Sequence, residues 1–447
     1  MSSEIVELLQ TLIRNACVNT GAADSGQEHR SVATLQAFFG VDGTVFEPAP
    51  GRQSLVYRVP GTDPGAPSLA LVPHLDVVPA DPSGWTHDPF GGEVIDGYVY
   101  GRGAVDMLNL VSAFAYVVRP YVRGERKPRG DLVFAAVADE EAGGGKGAHP
   151  LVRDHWDLVG ADYLLTEIAY PTAGAGQSIP VTVGEKGSFY SHLHTTGVPG
   201  HASTPYGSDN ALHKMIDALQ NLLGTPPPPS IGPQWIEFVD GIGLDPQLTD
   251  RLKDPNQLEE ALTVIADTDP MFAGYIHAST HLTVTATRAD AGIKSNIIAD
   301  KARTELDIRA LPGTTRDDVN TYLRNAMGTA APDVEIEARG NLPATISATQ
   351  TGLWDAIADS VHDLHGHRRL VPTLMPGATD ARFWRQRGSV AYGVGIYDDR
   401  TTFSDLLARF HGHDERISIE SLQRTTKLYE RILHHLNQCR SKPTRMR

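Results

Sequence analysis

His74 and Asp76 are the first two side chains in this 447-residue chain whose spacing suits a metal site. They follow an apolar run, 68–72, and residues two apart on an extended chain project to the same face. One can then bind an ion while the other orients it by accepting the second ring N–H of the imidazole. A surface or capping pair explains the same spacing, so these two residues by themselves do not define a site.

Three adjacent carboxylates, Asp139, Glu140 and Glu141, end a second apolar run, 131–138. Neighbouring carboxylates raise each other's pKa, so such a cluster needs either free solvent or a cation. Glu167 follows a further short apolar run, and ligands at the carboxyl ends of parallel strands converge on one crevice. The pattern favours a shared cation site, although free solvent explains each carboxylate taken singly.

Two more segments supply oxygen and nitrogen ligands. Asp106 ends a glycine-rich turn directly before a predicted helix, where it could equally be the helix N-cap. The turn lacks the third glycine of a dinucleotide-binding loop, which argues against a phosphate cradle. His411 and His413 lie in a loop before the last predicted helix. A set of His, Asp and Glu suits zinc, cobalt or manganese rather than calcium or an iron–sulfur centre.

The charge pattern excludes some classes of partner. The formal net charge is −15, and Lys and Arg are scattered rather than clustered, so neither nucleic acid nor an anionic membrane surface is an expected partner. No apolar stretch is long enough to span a bilayer, and residues 1–15 resemble an amphipathic helix rather than a signal peptide. We therefore predict a cytoplasmic protein.

The apolar runs that precede these residues alternate with helical patterns along the sequence. This alternation predicts an α/β fold, with a mostly parallel sheet and helices on both faces. The domain built on this sheet, which would carry the metal-binding residues, is predicted to comprise residues 1–185 and 342–447. The segment between them, 186–341, is interpreted as an inserted α+β sandwich of ferredoxin-like type. The predicted strands are 68–72, 131–138, 163–166, 189–195, 281–287, 302–308, 334–338 and 389–394, and the predicted helices include 1–15, 107–118, 210–223, 353–364 and 418–436.

The order of these motifs resembles the aminoacylase and carboxypeptidase S family of two-zinc metallopeptidases. That family also includes acetylornithine deacetylase, succinyl-diaminopimelate desuccinylase and many dipeptidases. The resemblance extends over nearly the whole chain. The matching segments are 74–79, 85–90, Gly97, 100–103, Asp106, 139–141, 185–187, 199–203, Asn296, 307–309 and 414–416.

The resemblance implies that two divalent ions are bound, with zinc favoured and cobalt or manganese as alternatives. It implies that Asp106 bridges the two ions. His74 and Glu167 would complete one site, and Glu141 and His411 would complete the other.

The same resemblance assigns catalytic roles. Glu140 would be the general base for a water shared by the two ions, and Asp76 would lie behind the first histidine ligand. His201, in the insertion, would stabilise the developing oxyanion, reaching across from a second subunit. The choice of His411 over His413 as a ligand rests on counting back from the last matching segment.

Asn296 and Arg309 resemble the family's anchors for a substrate carboxylate, and Gly377 lies in a segment that resembles its pocket-lining loop. A planar guanidinium can pair two carboxylate oxygens, although a salt bridge with Asp307 is an alternative role for Arg309. The resemblance thus implies a homodimeric hydrolase, joined through its insertion, that cleaves amide or peptide bonds next to a free carboxylate in small molecules. Aminopeptidase specificity and a catalytically silent metal-binding scaffold are the alternatives, and the intact Glu140 argues against the scaffold.

Overall fold

A computed structural model describes residues 2–172, 178–366 and 369–438, in which strands and helices alternate along much of the chain. The strands are β1 (Thr44–Phe46), β2 (Ser54–Val59), β3 (Leu69–Leu71), β4 (Val94–Ile95), β5 (Tyr98–Tyr100), β6 (Leu132–Ala136), β7 (Tyr163–Thr166), β8 (Ile179–Glu185), β9 (Gly187–Ser188), β10 (Ser191–Thr196), β11 (Thr283–Ala291), β12 (Lys301–Ala310), β13 (Val334–Ala338), β14 (Thr345–Ile346), β15 (Leu370–Met375), β16 (Val390–Gly393) and β17 (Arg416–Ser418). The helices are α1 (Ser2–Arg14), α2 (His29–Phe39), α3 (Leu108–Val122), α4 (Ala148–Asp154), α5 (Trp156–Val159), α6 (Ala211–Gly224), α7 (Pro233–Gly241), α8 (Pro246–Lys253), α9 (Leu258–Ala266), α10 (Pro270–Thr280), α11 (Arg316–Met327), α12 (Gly352–His365), α13 (Ala381–Arg385), α14 (Phe403–Arg409) and α15 (Ile419–Gln438).

The largest sheet has nine strands, in the order β1, β2, β6, β3, β7, β16, β8 and β14, with β15 also paired to β8. The central pairings, β6 with β3, β3 with β7 and β7 with β16, are parallel, as is β15 with β8. Antiparallel pairings join β1 to β2 and β2 to β6 at one side, and β8 to β16 and β14 at the other. The predicted α/β class with a mostly parallel central sheet is confirmed.

Helices cover both faces of this sheet because successive side chains of a strand point to opposite sides. Leu69, Leu71 and Phe134 point into the larger core, which α1, α2, α3, α12 and α15 also line. Ala70 and Val133 point the other way, into a smaller core lined by α4 and α13. Strands buried on both faces need near-continuous apolar runs, which is the pattern found in the sequence.

A second, five-stranded sheet has the order β11, β12, β10 and β13, with β9 paired to β12. One face packs on α6 and α11 around Leu193, Leu306 and Leu323. The other face is lined by the polar alternate residues of β10 and β12, which are partly exposed. Strand β10, helix α6, strands β11 and β12, helix α11 and strand β13 occur in the predicted order, with four further helices between α6 and β11.

Four helices, α7 to α10, lie between α6 and β11 and were not predicted. Their apolar side chains, including Trp235, Phe238 and Tyr275, join the larger core, and α7 contacts β15. Part of the predicted insertion, residues 233–280, therefore packs with the nine-stranded sheet. Two of these helices have local signals in the sequence. Asp245 caps α8 and Asp269 caps α10, and both α8 and α10 start with proline.

The described part of the chain contains no helix that is both long and apolar enough to cross a bilayer.

Candidate metal centre

The strands β3, β6 and β7 deliver three groups of candidate ligands to one edge of the large sheet. His74 follows β3, and Glu140 and Glu141 lie in a single 3-10 turn after β6. Glu167 follows β7 directly. Neighbouring β16 comes so close that a Cβ on Gly393 would lie 1.9 Å from the Glu167 carbonyl oxygen, which requires glycine there. The parallel register thus brings together residues far apart in the sequence.

Asp106 lies between two imidazoles. His74 Nε2 is 3.2 Å from Asp106 Oδ1, and His411 Nε2 is 3.3 Å from Asp106 Oδ2. Glu167 Oε2 lies 3.6 Å from His74 Nε2, and Glu141 Oε2 lies 3.5 Å from His411 Nε2. The structure therefore gathers the five predicted ligands in two groups of three that share Asp106.

His411, rather than His413, is the histidine that faces this cluster. The ring of His413 packs instead against Gly84, where an added Cβ would lie 2.2 Å from the ring. His411 has a φ of 57°, in the left-handed region that histidine enters more readily than most residues. This backbone turn places its side chain next to Asp106 and Glu141.

Asp76 is fully buried and contacts both halves of the cluster. Its backbone carbonyl oxygen accepts the hydrogen bond from His74 Nδ1 at 2.9 Å, and its carboxylate Oδ1 lies 3.6 Å from the same nitrogen. Its carboxylate accepts the backbone N–H groups of Glu140 and Glu141, each at 3.1 Å, and Nδ2 of Asn19 at 2.8 Å. Asp76 thus leaves His74 Nε2 free to face the cluster and anchors the 3-10 turn.

Glu415 anchors the glycine-rich turn before α3, a role that the sequence did not reveal. One carboxylate oxygen accepts the N–H groups of Val105 and Asp106, at 2.7 and 3.1 Å. The other oxygen forms a buried ion pair with Arg102 at 2.7 Å. At Gly103, φ is 91°, a conformation that side chains rarely adopt. Glu415 and Arg102 both lie in matching segments, which was the only available signal.

A second buried ion pair supports the acidic turn. Arg52 Nη2 lies 2.6 Å from Glu28 Oε1 and 2.8 Å from Asp139 Oδ1, with Arg52 and Glu28 both fully buried. Asp139 also accepts the N–H of Lys146 at 2.8 Å, so it supports the turn. No motif marks Glu28 or Arg52, because their importance arises only from contacts across the fold.

The charges in this cluster are strongly coupled. Burial, with the nearby charge of Glu167, raises the pKa of Glu140 well above its ordinary value. Burial also raises the pKa of Glu167 to about 8. Against the effect of burial, hydrogen bonds from His411 and His74 hold the pKa of Asp106 well below its usual range. Hydrogen bonds to Asp106 and Glu141 raise the pKa of His411 to about 10. The site thus brings several buried carboxylates close together, where a positive charge would be stabilised.

A divalent ion would supply the positive charge that these buried carboxylates favour. Oε1 of Glu141 is buried and has no hydrogen-bond partner among the described residues, so one strong acceptor is left for a cation. Imidazole nitrogens and carboxylate oxygens are the donor set of zinc and similar first-row ions. The residues present therefore fit a metal ion.

We expect the metal-free chain to lose stability as the pH rises from about 4.5 to about 8. Burial raises the pKa of Glu28 to about 7 and that of Glu167 to about 8, from an ordinary value of 4.5. A carboxyl with a raised pKa contributes stability that is complete below its unfolded value and is lost as the pH passes its folded value. A bound ion needs these carboxylates ionised, so added metal should stabilise the chain more at the upper end of this range.

Thermal unfolding of chelator-treated and metal-loaded protein across this range measures both effects. A midpoint temperature of the metal-free chain that rises between about pH 5 and about pH 7 would contradict this reading of the buried carboxyls.

His201 and Asn296 lie together on the surface of the part of the chain that contains the five-stranded sheet. The N–H of Ala202 donates to the Asn296 carbonyl oxygen at 3.1 Å, and His201 forms a backbone bridge with Ile297. His201 Nδ1 accepts hydrogen bonds from the Ser203 N–H and hydroxyl, so its proton lies on the exposed Nε2. Among the described residues, no hydrogen bond or ion pair joins either side chain to the metal cluster.

Arg309 lies on the outer face of β12 and makes the salt bridge that was considered as its alternative role. Its Nε and Nη2 donate to the two carboxylate oxygens of Asp307, at 2.7 and 3.0 Å. Its remaining donors contact the Ser188 hydroxyl at 2.7 Å and the Tyr190 hydroxyl at 2.6 Å. Gly377 lies in the loop that directly follows β15.

The parallel sheet edge carries a largely buried cluster of His, Asp and Glu side chains that fits a metal ion. The sequence model of Peptidase family M20/M25/M40 matches residues 70–435. This chain therefore belongs to that family, as its motifs indicated, and is a hydrolase acting on C–N bonds.

Individual family members cover most of the chain. It is 27% identical over 394 residues to carboxypeptidase S-like 2 of Dictyostelium discoideum, covering 85% of this chain and 74% of that protein. It is also 27% identical over 394 residues to human aminoacylase-1, covering 87% and 84% respectively. An M20 family metallo-carboxypeptidase from Sulfolobus solfataricus has the same fold, with a TM-score of 0.73 at 18% identity over 98% of this chain and 100% of that one.

Proposed function

We propose that this chain hydrolyses an amide or peptide bond next to a free carboxylate, in a dipeptide, a longer peptide or an N-acyl amino acid. The observation that carries the proposal is Asp106 between His74 and His411, at 3.2 and 3.3 Å, with Glu140 in the adjoining turn. The names of two relatives, a carboxypeptidase S-like protein and an aminoacylase, support this substrate class.

Two divalent ions, with zinc favoured, suit the two halves of the cluster. His74, Asp106 and Glu167 would hold one ion, and Asp106, Glu141 and His411 would hold the other. When bound, such ions polarise a carbonyl oxygen and lower the pKa of a bound water toward about 7. Cobalt and manganese accept the same donors.

Glu140 is proposed as the general base rather than a ligand. By distance alone it could complete a site with His74 and Glu167, since one ligand atom of each lies within 4.8 Å of the others. However, Glu167 already pairs with His74, while burial raises the pKa of Glu140 well above its ordinary value. A group that takes a proton from water and passes it to the departing nitrogen must exist in both forms, and a raised pKa serves this exchange.

His201 is proposed to stabilise the developing oxyanion with its Nε2–H. Since no described contact joins it to the cluster of its own chain, we propose that it serves the cluster of a second chain in a homodimer. Residues 285–291 of β11 are exposed at a sheet edge, and Ile293 beyond them is 84% exposed. An exposed edge strand with apolar neighbours favours pairing with another chain.

Arg309 is proposed to bind the substrate carboxylate, with Asn296 beside the oxyanion donor and Gly377 in the loop lining the pocket. We expect Arg309→Ala to lower kcat/KM about 10- to 100-fold for substrates with a free carboxylate, because charge-assisted hydrogen bonds contribute about 1.5–3 kcal/mol. Slow cleavage of a C-amidated analogue should not change. Arg303→Ala, on the same strand and face, is the matched control, and an equal loss for both substrates would argue against this role.

A substrate panel tests the proposed function directly. Metal-loaded protein should cleave N-acetyl amino acids or free dipeptides readily and should cleave C-amidated dipeptides only slowly. Cleavage of the amidated dipeptide at the same rate as the free dipeptide would overturn the requirement for a carboxylate and would favour an aminopeptidase.

A further inference from the structure

A second group of potential metal ligands lies on the outer face of the smaller sheet. His192 and His194 are two residues apart on β10, so both project to the side opposite α6 and α11. In the register with edge strand β13, Glu337 is directly opposite His192, and Glu335 is opposite His194. Two imidazoles and a carboxylate thus share one patch of the sheet surface.

The three side chains converge on one point. Glu337 Oε2 lies 3.4 Å from His192 Nδ1 and 2.9 Å from His194 Nε2. Ligand atoms around a tetrahedral zinc, at about 2.0–2.1 Å from the ion, lie roughly 3.3 Å apart, so this spacing needs little adjustment. The other oxygen of Glu337 accepts a hydrogen bond from Arg339 at 2.9 Å, which turns Oε2 toward the imidazoles.

An ordinary cross-strand salt bridge explains this cluster less well. A salt bridge needs only one protonated imidazole, whereas here two imidazoles point at the same carboxylate oxygen. If both were protonated, two cations would repel each other in a small space. Two neutral imidazoles can instead each offer a lone pair to one divalent ion.

The charged neighbours also leave room for a cation. Glu305 lies opposite His192 on β12 and Glu335 lies opposite His194 on β13. The guanidinium groups of Arg303 and Arg288 are paired with Glu305 and Asp290, whereas that of Arg339 pairs with Oε1 of Glu337 and leaves Oε2 to the imidazoles.

We propose that His192, His194 and Glu337 form a further metal site, separate from the centre at the edge of the large sheet. It would bind a divalent transition ion, zinc in the first instance, through two nitrogens and one oxygen. Three protein ligands leave a fourth position open to water or to a small ligand. A cavity of about 620 Å³, bordered by His194 and Glu337, adjoins the cluster and provides access.

Zinc content measures this site without reference to turnover. Chelator-treated full chain is dialysed against micromolar zinc, and bound zinc per chain is measured. The double variant His192→Asn/His194→Asn should bind one zinc fewer than the unmodified chain, while its hydrolytic activity stays unchanged. His213→Asn, an exposed histidine on α6, is the matched control and should lose none. Equal zinc content in the double variant and the unmodified chain overturns the proposal.

Two further measurements keep the test decisive if the double variant folds poorly. Glu337→Gln retains the shape of the side chain and should lose the same zinc. Arg339→Ala, which frees the second oxygen of Glu337, should lower the affinity of this site for zinc about 10-fold. Zinc-soaked crystals should show anomalous density between His192 Nδ1, His194 Nε2 and Glu337 Oε2. Anomalous density restricted to the centre at the large sheet would overturn the proposal.

Discussion

Glu140→Gln is expected to reduce kcat by about 10²- to 10⁴-fold, the range for loss of a positioned general base. The amide cannot take a proton from water, but it has nearly the same shape as the carboxylate. The backbone N–H of residue 140 would still donate to Asp76, so the turn that carries Glu141 should stay in place. The metal content should therefore remain close to that of the unmodified chain.

The decisive comparison is turnover and metal content in the same samples. Glu125→Gln, in an exposed loop after α3, makes the same chemical change far from any candidate ligand and should change neither quantity. Full activity in Glu140→Gln would show that the base has been wrongly assigned. A parallel loss of metal would instead make Glu140 a ligand together with His74 and Glu167.

Asp106→Asn is expected to lower the affinity for both ions together and to abolish hydrolysis. Each oxygen of Asp106 faces a different histidine, at 3.2 Å from His74 and 3.3 Å from His411, so a single substitution affects both groups. An amide offers one neutral oxygen and an NH₂ group that cannot bind a cation. Since bound ions supply several kcal/mol of transition-state stabilisation, turnover should fall by at least about 10³-fold.

Titrating the variant with metal and measuring the number of ions bound per chain distinguishes the loss of both ions from the weakening of one site. Asp42→Asn, an exposed aspartate, is the control and should bind metal normally. If Asp106→Asn retained one ion at full affinity, the two groups would not share this carboxylate. The bridging role would then have to be abandoned, even if activity were lost.

These two variants separate functions carried by two different turns, the 3-10 turn that holds Glu140 and the glycine-rich turn that ends at Asp106. Glu140→Gln should retain the ions and lose proton transfer, whereas Asp106→Asn should lose the ions and therefore all catalysis. The buried pairs of Arg102 with Glu415 and of Arg52 with Glu28 hold the two supporting turns. Buried ion pairs of this kind add little net stability, so their value here lies in positioning the ligands.

The types of ligand and the ends of the strands that carry them were predictable because they are local properties. Strand β7 was predicted with its observed limits, and Glu167 directly after it follows from the apolar run alone. The strand ahead of His74 and the strand ahead of the acidic turn were predicted similarly, within one or two residues. Short apolar runs of strand length and the carboxylates that follow them can be recognised without knowledge of the rest of the chain.

The sequence by itself thus determined the class of fold and the identity of most candidate ligands. Only the tertiary structure decided that His411 rather than His413 faces Asp106, and that Asp76 holds His74 through its backbone. It also decided where residues 233–280 pack and how His192 and His194 meet Glu337 across two strands. These outcomes depend on which distant segments become neighbours, and residue order alone does not specify the distances between atoms brought together by packing.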